Sequence, residues 1–143
     1  MPKIYDRAPE NPSFENDLKK FAKKEQHKIK SIYEAEVVPF LLYCLKTEIL
    51  QMAKYREEYP LISAFSVIRR SFCIDEAMLI KFRIRFPNRG ISAGGRLSAA
   101  VVMKDGYVVP LEIYTHGMRG NGDDTNDKEL ERKFKAVYTM IQK

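Results

Sequence analysis

The chain has 143 residues, of which 45% are hydrophobic and 31% charged, a balance typical of a water-soluble globular protein rather than a disordered one. That length fits one domain, so we expect residues 1–143 to fold as a single unit. No apolar run reaches the roughly 18 residues of a membrane span, and the N-terminus lacks the apolar region of a secretory signal. Cys44 and Cys73 have no metal-ligand spacing around them, which predicts reduced thiols, no metal or cofactor, and a cytoplasmic protein.

Positive charge is concentrated in one part of the chain. The net charge is +6 and the sequence pI is near 9.3. Residues 80–120 hold seven lysines and arginines against two acidic residues. A clustered cationic surface favours a polyanion, either nucleic acid or an acidic protein segment. The alternative is that these side chains only keep the region solvated.

The first elements predicted are a short strand and a helix. The stretch "KIYDRAPENP" fits a strand followed by a turn. Asn11 followed by Pro12 is a favourable helix start, and apolar residues then recur at mostly helical spacing. We therefore expect a first helix from about residue 12 to residue 36.

A second helix is predicted to begin at Pro39 and to continue to residue 58. It is apolar over more than one side, so it is either central to the core or partly a protein-binding surface. Residues 59–78 stay unassigned, because periodicity does not decide between a loop, an extra strand and a short helix.

The following forty residues predict an antiparallel sheet. Apolar residues in 79–86 alternate with Lys81, Arg83 and Arg85, so this strand has one apolar and one basic face. "RLSAAVVMK" and "YVVPLEIYTH" predict two more strands, joined by a two-residue hairpin turn at Asp105-Gly106.

The predicted turn also gives a register for the hairpin. It places Arg96 opposite Thr115 and Tyr114 opposite Leu97, although a one-residue slip would change these partners. Pro110, inside the last strand, favours an edge position or a bulge because it has no N–H to donate.

Residues 127–142 predict a closing helix with one apolar stripe. The expected fold is α+β, with a small antiparallel sheet packed against two N-terminal helices and a C-terminal helix.

The open end of the predicted hairpin carries residues suited to phosphate chemistry. Guanidinium groups bind phosphate bidentately and stabilise the charge of its transition state. His116 is a natural proton shuttle and Tyr114 can stack on a base, although a surface histidine and a partly packed tyrosine are the simpler interpretations. RNA carries its own nucleophile, the 2′-hydroxyl, so its cleavage requires no metal. The sequence has neither a nucleotide-binding glycine loop nor a nucleophile elbow.

The stretch "KFRIRFPNRGISAGGRLSAAVVMKDGYVVPLEIYTHG" resembles the sheet of the RelE/HigB/ParE-like toxins of bacterial toxin–antitoxin systems. The shared pattern is an Arg-bearing strand, a glycine-rich basic loop, a Gly-Gly and Arg strand start, an Asp-Gly hairpin, and a strand ending in Tyr and a basic residue. Here the glycine pair abuts Arg96 directly, and the N-terminal helical part is larger than in a typical member.

The resemblance implies a RelE-like toxin domain that acts as an mRNA endoribonuclease, often on the ribosome, and that binds a cognate antitoxin protein. It implies catalytic roles for Arg85, Arg96, Tyr114 and His116. In these roles the two arginines hold the scissile phosphate, and the histidine is the general acid or base. It implies RNA-binding roles for Lys81, Arg83, Arg89 and Arg119. A homodimer is compatible with it.

Two alternatives belong to other functional classes. One is a non-catalytic toxin on the same scaffold, like the gyrase-targeting ParE-like branch, whose basic surface would bind protein or DNA. The other is a phage or plasmid accessory protein that binds nucleic acid or a partner and cleaves nothing. Salt-dependent binding without a cleavage product would distinguish this accessory protein from an enzyme.

Overall fold

A computed structural model describes residues 2–24, 31–46, 55–86, 94–115 and 127–142. The elements in chain order are β1 (Lys3–Ile4), α1 (Pro12–Lys24), a π-helical turn (Tyr33–Val37), α2 (Val38–Lys46), α3 (Tyr55–Glu58), β2 (Ile62–Arg69), β3 (Ala77–Ile84), β4 (Gly95–Val102), β5 (Tyr107–Thr115) and α4 (Asp127–Gln142). Within these described ranges, the strands form one five-stranded sheet.

The sheet confirms the α+β class and extends the predicted strands. Its order is β1-β5-β4-β3-β2, and β2 to β5 form an antiparallel meander. The expectation of a purely antiparallel sheet is wrong in one respect, because β1 pairs with β5 in parallel and makes the sheet mixed. The unassigned segment 59–78 supplies β2, the edge strand beside β3.

Helices cover both faces of the sheet. On one face, Phe82 of β3 and Leu97 of β4 belong to an apolar cluster with Phe14 of α1 and Phe40 of α2. On the opposite face, which we call the α4 face, a second apolar cluster joins β3, β4 and β5 to α4. Every residue of β4 and β5 is buried, as expected for central strands that are covered on both sides.

The start of α1 is as predicted. The Asn11 side chain accepts a hydrogen bond from the backbone N–H of Phe14 at 3.2 Å, and Pro12 is the first helical residue. The helix is described to Lys24, and the predicted continuation over 25–30 lies outside the described residues.

Pro39 does not begin a separate helix, which corrects the prediction. The helical backbone passes from the π-helical turn into α2 at Val38, one residue before Pro39. Val38 donates its N–H to the carbonyl of Tyr33, five residues earlier. A proline inside an α-helix lacks an N–H and clashes with the carbonyl four residues before it, so the wider π-helical turn lets the chain continue. Residues 47–54 of the predicted second helix lie outside the described residues.

The β4–β5 loop is longer than predicted. Val102 pairs with Tyr107, so the loop has four residues, 103–106, rather than two. Gly106 has a φ of 71° and donates its N–H to the carbonyls of Val102 and Met103. This left-handed backbone at the end of the loop is the conformation that glycine adopts without strain.

The predicted register of this hairpin is wrong. Arg96 pairs with Tyr114 rather than with Thr115, and Leu97 pairs with Ile113. The longer loop and a bulge in β5 together shift the pairing by one residue at the open end of the hairpin.

The closing helix is confirmed with its predicted bounds. Leu130, Phe134 and Val137 form its buried stripe. Over the described ranges, no helix combines the length and the apolar character that crossing a membrane requires.

Candidate nucleic-acid interface

The predicted basic residues of β3 lie on the α4 face. Leu79 belongs to the apolar cluster under α4, and alternation along the strand puts Lys81 and Arg83 on the same side. Phe82 and Ile84 point to the opposite side and are buried there. The predicted alternation of apolar and basic side chains is therefore confirmed from Ile80 to Ile84, whereas Leu79 makes the first part of the basic side apolar.

Strand pairing arranges the polar residues of the α4 face in two rows. The guanidinium row consists of Ser63, Arg83, Arg96 and Tyr114, and the carboxyl row consists of Ser66, Lys81, Ser98 and Glu112. Directly opposite residues of an antiparallel pair have Cβ atoms about 5 Å apart. The rows are two residues apart along the strands, which corresponds to roughly 6.8 Å.

A β-bulge in β5 determines which of its residues join these rows. Ser98 pairs with Glu112 and Ala99 pairs with Pro110, so Leu111 is an extra residue in the strand. Side chains alternate along a strand, and an extra residue shifts the alternation of everything that follows it. The bulge that Pro110 favours from the sequence is therefore present, and it turns the last part of β5 toward the basic face.

The cations of the interface differ in exposure. Arg85 follows the last residue of β3 and is exposed, and Lys81 and Arg83 are half-buried. Arg96 is only 3% exposed and Tyr114 only 2%. The accessible positive charge of this face therefore comes from the β3 segment, whereas Arg96 of the neighbouring strand is buried.

Two hydrogen-bonding features mark the guanidinium row. Arg96 donates from Nη1 to the carbonyl of Gly94 at 3.3 Å, which fixes the guanidinium near the start of β4. Ser63 lies opposite Arg83, and its Oγ is buried with no hydrogen-bond partner in the described structure. Buried polar atoms of this kind are rare in proteins and often mark a place where a ligand or a water binds.

The carboxyl row lies beside a small cavity. The cavity has a volume of about 170 Å³ and is lined by Ile68, Leu79, Lys81, Ser98, Glu112, Asp127 and Leu130. Glu112 is 1% exposed, and its Oε2 accepts a hydrogen bond from the Ser98 hydroxyl at 3.5 Å. The cavity is therefore lined by two carboxyl groups, a hydroxyl group and an ammonium group together with apolar side chains.

Several of the predicted site residues lie close together in the sheet, and others lie outside the described residues. Arg83, Arg96 and Tyr114 share one row, and Lys81 lies in the next. The structure describes Arg85 at the exposed end of the β3 segment. Three further predicted residues lie outside the described residues, namely Arg89, His116 and Arg119.

Sequence reasoning gave no functional role to Glu112 and Ser98. Alternation along the predicted strand puts Glu112 on the same face as Tyr114, and this is the signal that the sequence offers for Glu112. Their pairing across β4 and β5 depends on the bulge, so the sequence alone could not bring them together.

Groups with clearly shifted pKa values lie away from the two rows. Burial raises the pKa of the Cys44 thiol in α2 to about 12, and burial with the nearby Glu131 carboxylate raises that of Cys73. Burial raises the pKa of Tyr33, and so does the Asp6 carboxylate, which accepts a hydrogen bond from the Tyr33 hydroxyl at 2.7 Å. Both cysteines are free, and a raised pKa makes a thiol a poor nucleophile at neutral pH. Thiol catalysis is therefore disfavoured.

Among the residues that the structure describes, no group of three or more His, Cys, Asp and Glu side chains could hold a metal ion. Comparisons of the chain with protein families, with curated proteins and with solved structures find no match.

Proposed function

We propose that this protein is an RNA-binding, metal-independent endoribonuclease that acts as the toxin of a type II toxin–antitoxin system. The observation that carries the proposal is the direct pairing of Arg83 with Arg96 across β3 and β4, beside Tyr114. Like charges directly opposite each other repel across a sheet, and an anion bound beside them would reduce that repulsion. Two adjacent guanidinium groups match the oxygens of a phosphate diester.

The remaining cations of the β3 segment support an extended anion. Within the described part of the chain, Arg83 and Arg85 form no ion pair that would neutralise them. With Lys81 they give three positive charges at two-residue spacing along one strand. A nucleic-acid backbone carries negative charges at regular intervals, and this is the kind of ligand that such a line of cations binds.

The proposed reaction uses the nucleophile of RNA itself. The 2′-oxygen attacks the adjacent phosphorus while the bond from phosphorus to the 5′-oxygen breaks. A base takes the 2′-hydroxyl proton, an acid donates a proton to the leaving 5′-oxygen, and the products are a cyclic phosphate and a 5′-hydroxyl. His116 is proposed as the proton shuttle, and Arg96 would stabilise the charge on the phosphate.

Cleavage of RNA in the presence of a chelator tests the proposal. Purified wild-type protein, with and without ribosomes, should convert an mRNA transcript in EDTA into fragments with cyclic 2′,3′-phosphate ends. It should leave the same transcript intact when the riboses carry 2′-O-methyl groups. Arg83→Ala should reduce cleavage at least about tenfold, because an arginine contact to phosphate typically contributes 1.4 kcal/mol or more.

Lys104→Ala is the matched control, because it removes one exposed positive charge from the β4–β5 loop, at the far end of the sheet. It should cleave like the wild type. An intact transcript under all conditions, together with normal growth of cells that express the protein, would contradict the enzymatic proposal.

A second candidate is a nucleic-acid-binding protein or a gyrase-targeting toxin that cleaves no RNA. The burial of Arg96 and Tyr114 favours it, because the accessible members of the interface are then the cations of the β3 segment, which suit binding of an anion. Binding to RNA or DNA without any cleavage product, in the experiment above, would select this candidate.

A further inference from the structure

The outer edge of β1 has backbone groups that β5 does not use. Within the described ranges, β1 pairs with β5 alone and is the last strand on its side of the sheet. Lys3 donates its N–H to the carbonyl of Gly106 at 3.0 Å, and Tyr5 donates to that of Val108 at 2.9 Å. Successive backbone groups of a strand point to opposite edges, so the N–H and the carbonyl of Ile4 point away from β5. Such an edge can pair with a further strand.

A cavity of about 520 Å³ lies along this edge, and we call it the β1 groove. Residues 2–7 line it from the sheet, and Val38 and Leu42 line it from α2. Ile4 packs against the apolar cluster on the α2 side of the sheet, and Val38 and Leu42 are only half-buried. The β1 groove therefore combines open backbone hydrogen-bonding groups with an accessible aliphatic wall.

The β1 groove is acidic although the whole chain is basic. Three carboxylates line it, those of Asp6, Glu10 and Glu34, against the two cations Lys3 and Arg7. Asp6 forms an ion pair with Arg7 at 3.4 Å, and the Lys3 ammonium lies over a tyrosine ring at 4.7 Å from its centroid. Among the residues that the structure describes, the side chains of Glu10 and Glu34 pair with no cation. Their two negative charges are open to a cationic ligand.

These three features together indicate the chemistry of the ligand. A free N–H and a free carbonyl on an edge strand match the backbone of an extended peptide. Side chains of such a peptide alternate, so every second one would lie against Val38 and Leu42 and suits an aliphatic residue. Glu10 and Glu34 favour lysine or arginine in the peptide and disfavour nucleic acid, whose phosphates they repel.

We propose that the β1 groove binds an extended, basic segment of a partner protein, which adds a sixth strand to the sheet beside β1. The backbone of that segment pairs with Ile4, its alternate aliphatic side chains cover Val38 and Leu42, and its cations neutralise Glu10 and Glu34. The groove lies three strands from Arg83 in the sheet order, so the proposal does not depend on RNA binding.

Two synthetic peptides test the chemistry of the segment. The basic probe is fluorescein-labelled Thr-Arg-Thr-Val-Thr-Val-Thr-Arg, in which the arginines and valines share one face of a strand, and the acidic probe has glutamate in place of each arginine. In fluorescence anisotropy, the full-length protein should bind the basic probe about fivefold more tightly, because two exposed ion pairs replace two repulsions. The net charge of +6 alone would give the opposite preference.

N-methylation of the basic probe tests strand pairing with the unmodified protein. One derivative carries N-methyl groups on both valines and the other on the two threonines nearest the centre, and these N–H groups point to opposite edges of the peptide. Because one peptide edge meets β1, one derivative should bind at least about tenfold more weakly than the other. Equal affinities of the two derivatives would overturn the proposal.

Three variants of the protein test the groove itself. Ile4→Pro removes the outward N–H and leaves the bonds of Lys3 and Tyr5 to β5, so it should weaken the basic probe severalfold, whereas Ile4→Val keeps the donor and should bind normally. Glu34→Gln should reduce the preference for the basic probe about twofold. Glu57→Gln is its control, an exposed acid of α3 that does not line the groove.

The results identify the occupant. A stronger affinity for the acidic probe, or no binding of either probe, would overturn the proposal. A wild-type dimer in analytical ultracentrifugation that Ile4→Pro converts to a monomer would assign the edge to a second copy of the chain and would also overturn it. Loss or retention of RNA cleavage bears on the proposed function alone.

Discussion

Asn11 is the residue whose side chain connects three parts of the chain. Its Oδ1 caps α1 through the N–H of Phe14, and its Nδ2 donates to the carbonyls of Tyr5 and Pro110 at 2.7 and 2.8 Å. The side chain thus ties the start of α1 to the end of β1 and to the bulge in β5. That bulge is what turns Glu112 and Tyr114 toward the basic face.

Replacement of Asn11 should lower the free energy of unfolding, although Asn11 lies outside the guanidinium row and the carboxyl row. Asn11→Ala removes the helix cap, one buried hydrogen bond and one partly buried hydrogen bond, so the free energy of unfolding in urea should fall by about 2–4 kcal/mol. Asn16→Ala is the control, an exposed position within α1, and should change it by less than about 0.5 kcal/mol. A cost below 1 kcal/mol for Asn11→Ala would contradict the role of this side chain.

At the scale of elements, α4 has two kinds of contact with the sheet. Arg69 of β2 forms ion pairs with Asp127 at 3.2 Å and with Glu131 at 3.4 Å, and all three side chains are partly exposed. Phe134 is fully buried under the sheet and packs against Phe72 at 5.8 Å between ring centroids. Exposed ion pairs contribute little, and buried aromatic rings contribute much.

The two contacts should therefore differ clearly in their contribution to stability. Arg69→Ala should lower the free energy of unfolding by less than about 1 kcal/mol. Phe134→Ala should lower it by about 3–5 kcal/mol, because it leaves a cavity in the cluster under α4. Urea unfolding followed by circular dichroism measures both. Equal losses would show that α4 is held by its charges rather than by its apolar stripe.

At the scale of the whole molecule, the distribution of charge should be visible in the salt dependence of RNA binding. Two cations on β3 and just after it, Arg83 and Arg85, predict contact with about two phosphates. The slope of log affinity against log salt concentration should then be about −1.4 for single-stranded RNA, and Arg83→Ala should reduce its magnitude by about 0.7. Lys104→Ala should leave it unchanged. An affinity independent of salt would contradict a phosphate-binding role for the β3 cations.

The sequence by itself determined the features that depend on neighbouring residues. Alternation in 79–86 defined the apolar and basic faces of β3, the Asn11 and Pro12 pair defined the start of α1, and the stripe of residues 127–142 defined α4. Each of these follows from the period of a strand or a helix or from the chemistry of a cap, so a short stretch of chain is sufficient.

Only the tertiary structure decided how the strands combine. It added β2 at the edge, paired β1 in parallel with β5, and placed Arg96 beside Tyr114 through the bulge at Pro110. A shift of one residue between strands moves every side chain to the opposite face, and nothing local in the sequence sets that shift. The arrangement of arginines on one row and the Glu112 cavity on the next is for this reason a property of the packed sheet and not of any single segment.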